Sequence, residues 1–411
     1  MTSQLKHYFW PAQILTLIAL GLGYWMTPST AKVSMTQEIT GAISTPKVEL
    51  PRDTALEMTP LYDRPEMISD AELARVLTKV QPRFADIKRR PNLVEHALRA
   101  WSVEATFQDP AIMSGEKMRD FLLDHSNYYA EWGDETAPLL MDRPEGIAIR
   151  WASDRSASVH HDHLLACLAE AKVPLTQPVY APSKRNMTLE QVLLESLRDF
   201  DPDERETEWS ALAYTLWLAP NSGWVDGKGR EVSFDLLAKR LIRGHLEKGV
   251  CSGTHRVYSL MVMYRVNQEY PILSEAMAAE VYSHLEHIRD LISVSQFEDG
   301  HWPSNWGEGA YALENPKQDK LSSQVIATGH HLEWLAIAPE ELHPPKQMME
   351  KAADWLVKTT DDLSQKQVLD NYTFFSHVGN ALALWRKTTP SQFWSQWETE
   401  HPFEPAEITA K

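Results

Sequence analysis

Tyr258-Ser259-Leu260-Met261-Val262-Met263-Tyr264 is apolar on nearly every face of a helix, and a helix apolar all round is one surrounded by other protein. Ala381-Leu382-Ala383-Leu384-Trp385 has the same character. Six such stretches align on a first inward residue: His96, His163, Trp209, His255, His331 and His377. Three of the five intervals between these anchors are 46 residues, and the other two are 67 and 76. A recurring interval marks a repeat, which has to be recognised before the fold is read. Here it is one helical hairpin long, so two hairpins carry insertions of 21 and 30 residues.

The apolar helices alternate with helices charged on one face: Met118 to Leu123, Leu189 to Leu197, Phe234 to Ile242, Met277 to Ile292 and Met348 to Val357. Lys239, Arg240 and Arg243 mark one such face, and Lys351, Asp354 and Lys358 another. The first member of each pair is therefore expected inside and the second outside. Alternating β-branched runs bounded by turn residues are almost missing, so the expected class is all-α. Six inner and outer hairpins close into an (α/α)6 toroid. The alternative, an open α-solenoid, needs a stricter repeat consensus than these intervals carry. Order should begin at the capping box Ser69-Asp70-Ala71-Glu72, followed by Leu73, Val76 and Leu77 and stopped by Pro82.

Upstream, the nineteen residues from Tyr8 to Met26 carry no formal charge. Lys6 and His7 precede them, and aromatic residues stand at both ends. That length spans a bilayer, and a cation before the span orients it with the remainder exported. A cleaved signal peptide is the competing expectation, since Ser29-Thr30-Ala31 has the small-x-small form of a cleavage site. A buried N-terminal helix of a cytosolic protein is a third. The expected organisation is an anchor or signal segment over 1–31, a flexible tether over 32–66, and the toroid over 67–411 on the extracytoplasmic, periplasmic side.

With 43% hydrophobic and 24% charged residues, wholesale disorder and a polytopic membrane protein are excluded. A net charge of -17 and the absence of a Lys or Arg run exclude a nucleic-acid partner. Cys167 and Cys251 are too few for a disulfide scaffold or a Cys-rich zinc cluster.

Gln296-Phe297-Glu298-Asp299-Gly300-His301-Trp302 resembles the QxxDGxW motif of the terpenoid cyclase and protein prenyltransferase superfold. The resemblance implies a toroid in which the Gln bonds backbone groups at a helix end, the Gly allows the turn and the Trp stacks on the Gln. Asp199-Phe200-Asp201-Pro202-Asp203-Glu204 departs from the Asp-x-Asp-Asp proton donor of the cyclases. The prenyltransferase zinc set of Asp, Cys and His finds only Cys251 and His255 here. An isoprenoid cyclase is accordingly the third functional expectation, and no cofactor and no metal is expected. Gly329-His330-His331-Leu332-Glu333-Trp334 resembles the GHxxEW stretch of the N-acylglucosamine 2-epimerase family, whose members are (α/α)6 barrels. This resemblance implies that His330 works as an acid or base on a sugar. Glu333, one turn on, is placed to orient it. The family's second histidine, in a His-x-Pro-Arg context, has no counterpart; the nearest candidate is His377 in Ser376-His377-Val378-Gly379-Asn380.

Five of the six inner helices are read as opening with His, which gathers imidazoles around one mouth where helix N-termini favour an anionic or hydroxylated ligand. His255, His330, His331, His377 and Glu333 are the candidate acid–base residues. Both insertions fall on the same side and supply indoles and carboxylates for binding: Trp132, Trp151, Asp299, Trp306 and Glu308, with Trp302 expected to fasten its loop. His160, His161 and His163 form a local chelating alternative. The functional expectation is a membrane-tethered carbohydrate-active lyase, hydrolase or epimerase. The alternative is a toroid without chemistry that binds a protein, glycan or lipid partner at the envelope.

Overall fold

The computed structural model describes residues 13, 14, 16, 18, 20–23, 25–27, 32, 46–244 and 249–403. In chain order the main helices are α1 (Asp70–Lys79), α2 (Pro91–Trp101), α3 (Gly115–Leu123), α4 (His125–Trp132), α5 (His163–Glu170), α6 (Leu189–Asp199) and α7 (Glu208–Leu218). They continue with α8 (Phe234–Arg243), α9 (Thr254–Glu269), α10 (Glu275–Ser295), α11 (Leu321–Ala336), α12 (Lys346–Asp362), α13 (Tyr372–Leu384) and α14 (Pro390–Glu400). The chain is mostly helical.

The apolar helices α2, α5, α7, α9, α11 and α13 touch one another in that order, and α13 touches α2, so their contacts form a closed cycle. Their composition explains the placement. Every residue of α7 is buried, as are His163 to Ala169 of α5. The intervening helices pack from outside: α3 on α2, α8 on α7 and α9, α10 on α9, α12 on α11 and α13, and α1 on α12 and α13. Amphipathicity fits them for that position, as in α8, which buries Phe234, Leu237, Ala238 and Leu241 and leaves Arg243 exposed. The capping box at Ser69 is formed: the Glu72 carboxylate accepts from the Ser69 N–H at 2.9 Å and Ser69 Oγ accepts from the Glu72 N–H at 3.4 Å.

The helical class stands with a few short strands added, and one expectation, that of the anchors, is corrected. Strands are present as antiparallel hairpins, β1 (Leu140–Asp142) with β2 (Ile147–Ile149), β3 (Pro178–Val179) with β4 (Met187–Thr188), and β5 (Gly223–Val225) with β6 (Glu231–Ser233). At two or three residues each they are too short to show a period of two. The anchors do not all open their helices: His96 is the sixth residue of α2, His331 the eleventh of α11 and His377 the sixth of α13. His96 and His377 nonetheless meet, with ring centroids 5.2 Å apart, from positions midway along their helices. Among the described residues no helix is long and apolar enough to cross a membrane, which leaves the expected span untested. The span expected over Tyr8–Met26 lies partly outside the described residues; those within it, including Ile14, Ile18, Leu20, Leu22 and Trp25, are helical and exposed.

From Pro46 onward, the segment read as a tether is a strap across the C-terminal ends of the inner helices. Leu56 N–H donates to Leu216 O at 2.9 Å, Leu61 N–H to Ala336 O at 3.1 Å, Arg64 N–H to Trp385 O at 2.8 Å and Tyr62 O–H to Ala338 O at 2.7 Å. The last carbonyls of a helix have no partner within it, and the strap supplies donors to α7, α11 and α13. The clip at Gln296 is also formed, with Gln296 Nε2 donating to Gly300 O and Met348 O at 2.8 Å each. Gly300 holds φ 107, and a Cβ there would stand 2.3 Å from Lys351 O.

Candidate functional site

Each of these six helices sends one ring inward, and the six rings meet in tilted or edge-to-face contacts. His96 of α2 lies 4.6 Å from His163 of α5, His163 4.4 Å from Trp209 of α7, and Trp209 4.1 Å from His255 of α9, measured between centroids. His255 lies 4.2 Å from His330 of α11, His330 3.9 Å from His377 of α13, and His377 5.2 Å from His96, which closes the circle. None is more than 8% exposed, so the axis is a packed hub instead of an open mouth. Burial drives the pKa of His96, His163, His255 and His377 well below the ordinary imidazole value, which leaves these rings neutral.

A second layer lies one turn further along the same helices. Arg99, Tyr258, Glu333 and Asn380 each stand three residues after a hub histidine, the spacing that stacks side chains on one helical face. Arg99 Nη1 donates to Glu333 Oε1 at 3.0 Å, and Arg99 Nε to Glu170 Oε2 at 2.6 Å. Tyr258 O–H donates to Glu170 at 2.6 Å and Asn380 Nδ2 to Glu333 at 2.8 Å. Burial by itself would raise the Glu333 pKa, but Arg99, His377 and the His330 hydrogen bond hold it well below the carboxylate range. Glu333 is therefore an anion. His330 Nδ1 lies 2.7 Å from it, so its charge favours a proton on that Nδ1 and turns the His330 Nε2 lone pair toward the hub, while His377 Nδ1 lies 3.1 Å from Glu333 and 3.0 Å from Arg99 Nη1. The Nε2 atoms of His255, His330 and His377 are buried without a hydrogen-bond partner. On the far side of this layer a surface pocket is lined by Arg99, Glu170, Tyr258 and Asn380 together with Leu56 and Met58 of the strap.

The structure brings together His255, His330, His377 and Glu333 of the candidate acid–base set. His331 is on the other face of α11, where its ring meets Trp302 and Trp306 at 5.2 and 4.6 Å and Nδ1 accepts from Trp334 Nε1 at 3.1 Å. The insertion residues do not reach the hub. Asp299 bonds His301 at 2.7 Å, Trp306 is fully buried against His331, and Glu308 accepts from Asn305 at 2.9 Å. Trp132 Nε1 donates to Arg89 O at 3.0 Å under the Lys88 ammonium. Trp151 is exposed and stacks on His161 at 5.5 Å, beside a separate pocket that also contains Asp162 and Asp199. His160 and His161 each bond an acid, Glu206 and Glu204, while His163 bonds Glu95 inside, so the three do not converge.

Sequence reasoning missed Arg99, Glu170, Tyr258 and Asn380. A polar residue at the third position after each of four aligned histidines was the available signal. Cys251 and His255 were paired in the sequence without a third ligand, and His330 stands as the third: one ligand atom each of Cys251, His255 and His330 lies within 4.8 Å of the other two. Such a set is able to hold a metal ion. No family model matches this chain, and neither a curated protein nor a solved structure matches it.

Proposed function

We propose that the chain is an (α/α)6 toroid, exported and tethered by its N-terminal segment, that acts as an enzyme by proton transfer on a small hydroxylated substrate of the saccharide class. The closed cycle of inner helices and the Gln296 clip support the toroid reading and the resemblance to the terpenoid cyclase superfold. The exposed apolar helical residues between Ile14 and Trp25 support the tether. The observation that carries the chemistry is the pairing of His330 and His377 at 3.9 Å, both with Nδ1 directed at Glu333 and both with Nε2 free of a partner. An Nε2 lone pair so placed takes a proton from the sugar ring, and the imidazolium that forms returns it to a neighbouring atom of the same ring. The Arg99, Glu170 and Tyr258 pocket offers the donors and acceptors that hydroxyl groups need, and substrate reaches the hub by rearrangement of that layer.

The test incubates the full chain with mono- and oligosaccharides in deuterated water, reading deuterium entry at carbon and new reducing ends. His330→Gln and His377→Gln should each abolish turnover with the melting temperature near that of the parent, and the two losses should not add. His331→Gln should lose stability and keep turnover per folded molecule. A second reading, a toroid that binds an envelope partner without chemistry, is favoured by the near-complete burial of the hub, and it gains if no saccharide exchanges or is cleaved.

A further inference from the structure

We propose that Cys251, His255 and His330 bind a single zinc-class divalent metal ion at the hub of the inner helices, with a water completing the coordination beside His377. The sequence expectation of no metal is set aside on geometry. His255 and His330 are 2% and 1% exposed, and the Nε2 of each is buried with no partner. A buried ring nitrogen needs a partner whichever tautomer the imidazole holds, and no side chain of the hub supplies one to these two. A metal ion is the electron-pair acceptor that fits several converging lone pairs at once. Zinc bonds to N and S at about 2.0 to 2.3 Å, which sets its ligand atoms about 3.3 to 3.8 Å apart. Those of Cys251, His255 and His330 lie within 4.8 Å of one another, so shifts of about 1 Å close the set.

Three features of the surroundings suit a metal. Glu333 lies 2.7 Å from His330 Nδ1, the carboxylate–histidine arrangement that fixes the tautomer of a ligating imidazole and raises its basicity. Cys251 and Ser252 hold φ 51 and 60 ahead of Gly253 at φ 83, and this left-handed turn places the thiol at the start of α9, four residues before His255. The charges also balance. Buried Arg99 faces two carboxylates, Glu170 and Glu333, and a divalent ion with one thiolate adds the missing positive charge. In the binding step the metal–sulfur bond forms as the Cys251 S–H bond breaks, and the proton leaves to solvent. The inference uses the same side chains as the proton-transfer reading but does not depend on it; with metal on His330, His377 remains as the base beside a metal-bound water.

The experiment is cobalt substitution of the full chain. After removal of metals with a chelator, titration with Co2+ should saturate at one equivalent per chain, with the visible bands of a tetrahedral ion and a thiolate-to-cobalt charge-transfer band in the near ultraviolet. Zn2+ should displace it. Cys251→Ala, at a half-buried turn, should remove the charge-transfer band while the circular dichroism spectrum stays unchanged. His255→Gln and His330→Gln should weaken Co2+ binding, Glu333→Gln should weaken it about 10- to 100-fold, and His331→Gln should leave it unaltered. Failure to retain stoichiometric cobalt, or a cobalt spectrum indifferent to Cys251→Ala, overturns the proposal. The readout needs no substrate, so it stands or falls apart from the saccharide assays.

Discussion

Arg99 Nη1 and His377 Nδ1 stand 3.0 Å apart, and the same guanidinium nitrogen is 3.0 Å from Glu333 Oε1. Two N–H groups cannot share that space. If His377 carries its proton on Nδ1 it donates to Glu333; if on Nε2, Nδ1 accepts from Arg99. The position of one proton thus decides whether the lone pair of His377 faces the hub or the cation, and Arg99 is what makes both states tolerable.

Removing that cation should be severe. Arg99→Met leaves Glu170 and Glu333 without their counter-ion, and the loss of one partner from a buried pair costs about 3 to 5 kcal/mol. Urea denaturation should show the loss, and adding Glu333→Gln should restore part of it. An unchanged midpoint in Arg99→Met would mean that the layer is wetter than its burial indicates.

Glu95 gives the protein a slope with pH. Burial raises its pKa from 4.5 to about 8, against the smaller opposing effects of Ser158 and His160. The folded chain keeps a proton that the unfolded chain has released, so this group's contribution to stability declines as pH rises between those two values. Glu95→Gln carries no such proton and should flatten the decline. Urea midpoints near pH 5 and near pH 8 check it; parallel losses in variant and parent would remove Glu95 as the cause.

The clip after α10 should be structural. Trp302→Ala is expected to destabilise by about 3 to 5 kcal/mol, the range for a fully buried aromatic, and Gly300→Ala by about 1 to 3 kcal/mol from its positive φ and the Lys351 carbonyl. Thermal melts measure both. Loss of ligand binding at an unchanged melting temperature would instead put Trp302 in a site.

The location is tested by fusions after residue 66 in a bacterial host. Alkaline phosphatase should be active there and β-galactosidase inactive, as an exported domain requires. The opposite pattern would end the extracytoplasmic reading.

The apolar helices were legible because burial on every side leaves its mark in composition, as in α7, which buries Glu208 to Leu218 without a break. The choice between His330 and His331 was less so. A strict 46-residue interval from His377 selects His331, yet one residue turns the side chain by about 100° around the helix, from the hub to the Trp306 wall. The residues three further on, Arg99, Tyr258, Glu333 and Asn380, break the tie in favour of His330, and they carry the information that the anchors alone lack. Glu170 was out of reach, since it enters the layer two turns after His163 and only through Arg99 and Tyr258. The strap left no periodic pattern, because most of its hold on α7, α11 and α13 comes from backbone N–H groups, with Tyr62 O–H and Asp63 added at single positions.

The strap and the joint between α13 and α2 also set the order in which the molecule can assemble. Asp63 pairs with Arg386, Tyr372 O–H bonds Val80 O, and Arg99 meets His377, contacts that join residues 323, 292 and 278 positions apart. Each closes a loop nearly as long as the domain, so its entropy has to be met by many contacts forming together, and such topologies fold slowly. Until Tyr372 and the residues after it have been synthesised, α2 has no wall on one side, and Arg99 and Glu333 stand in water, where an ion pair is worth little. Nascent chains stopped short of α13 should therefore be protease-sensitive from end to end, with no stable half-circle among them.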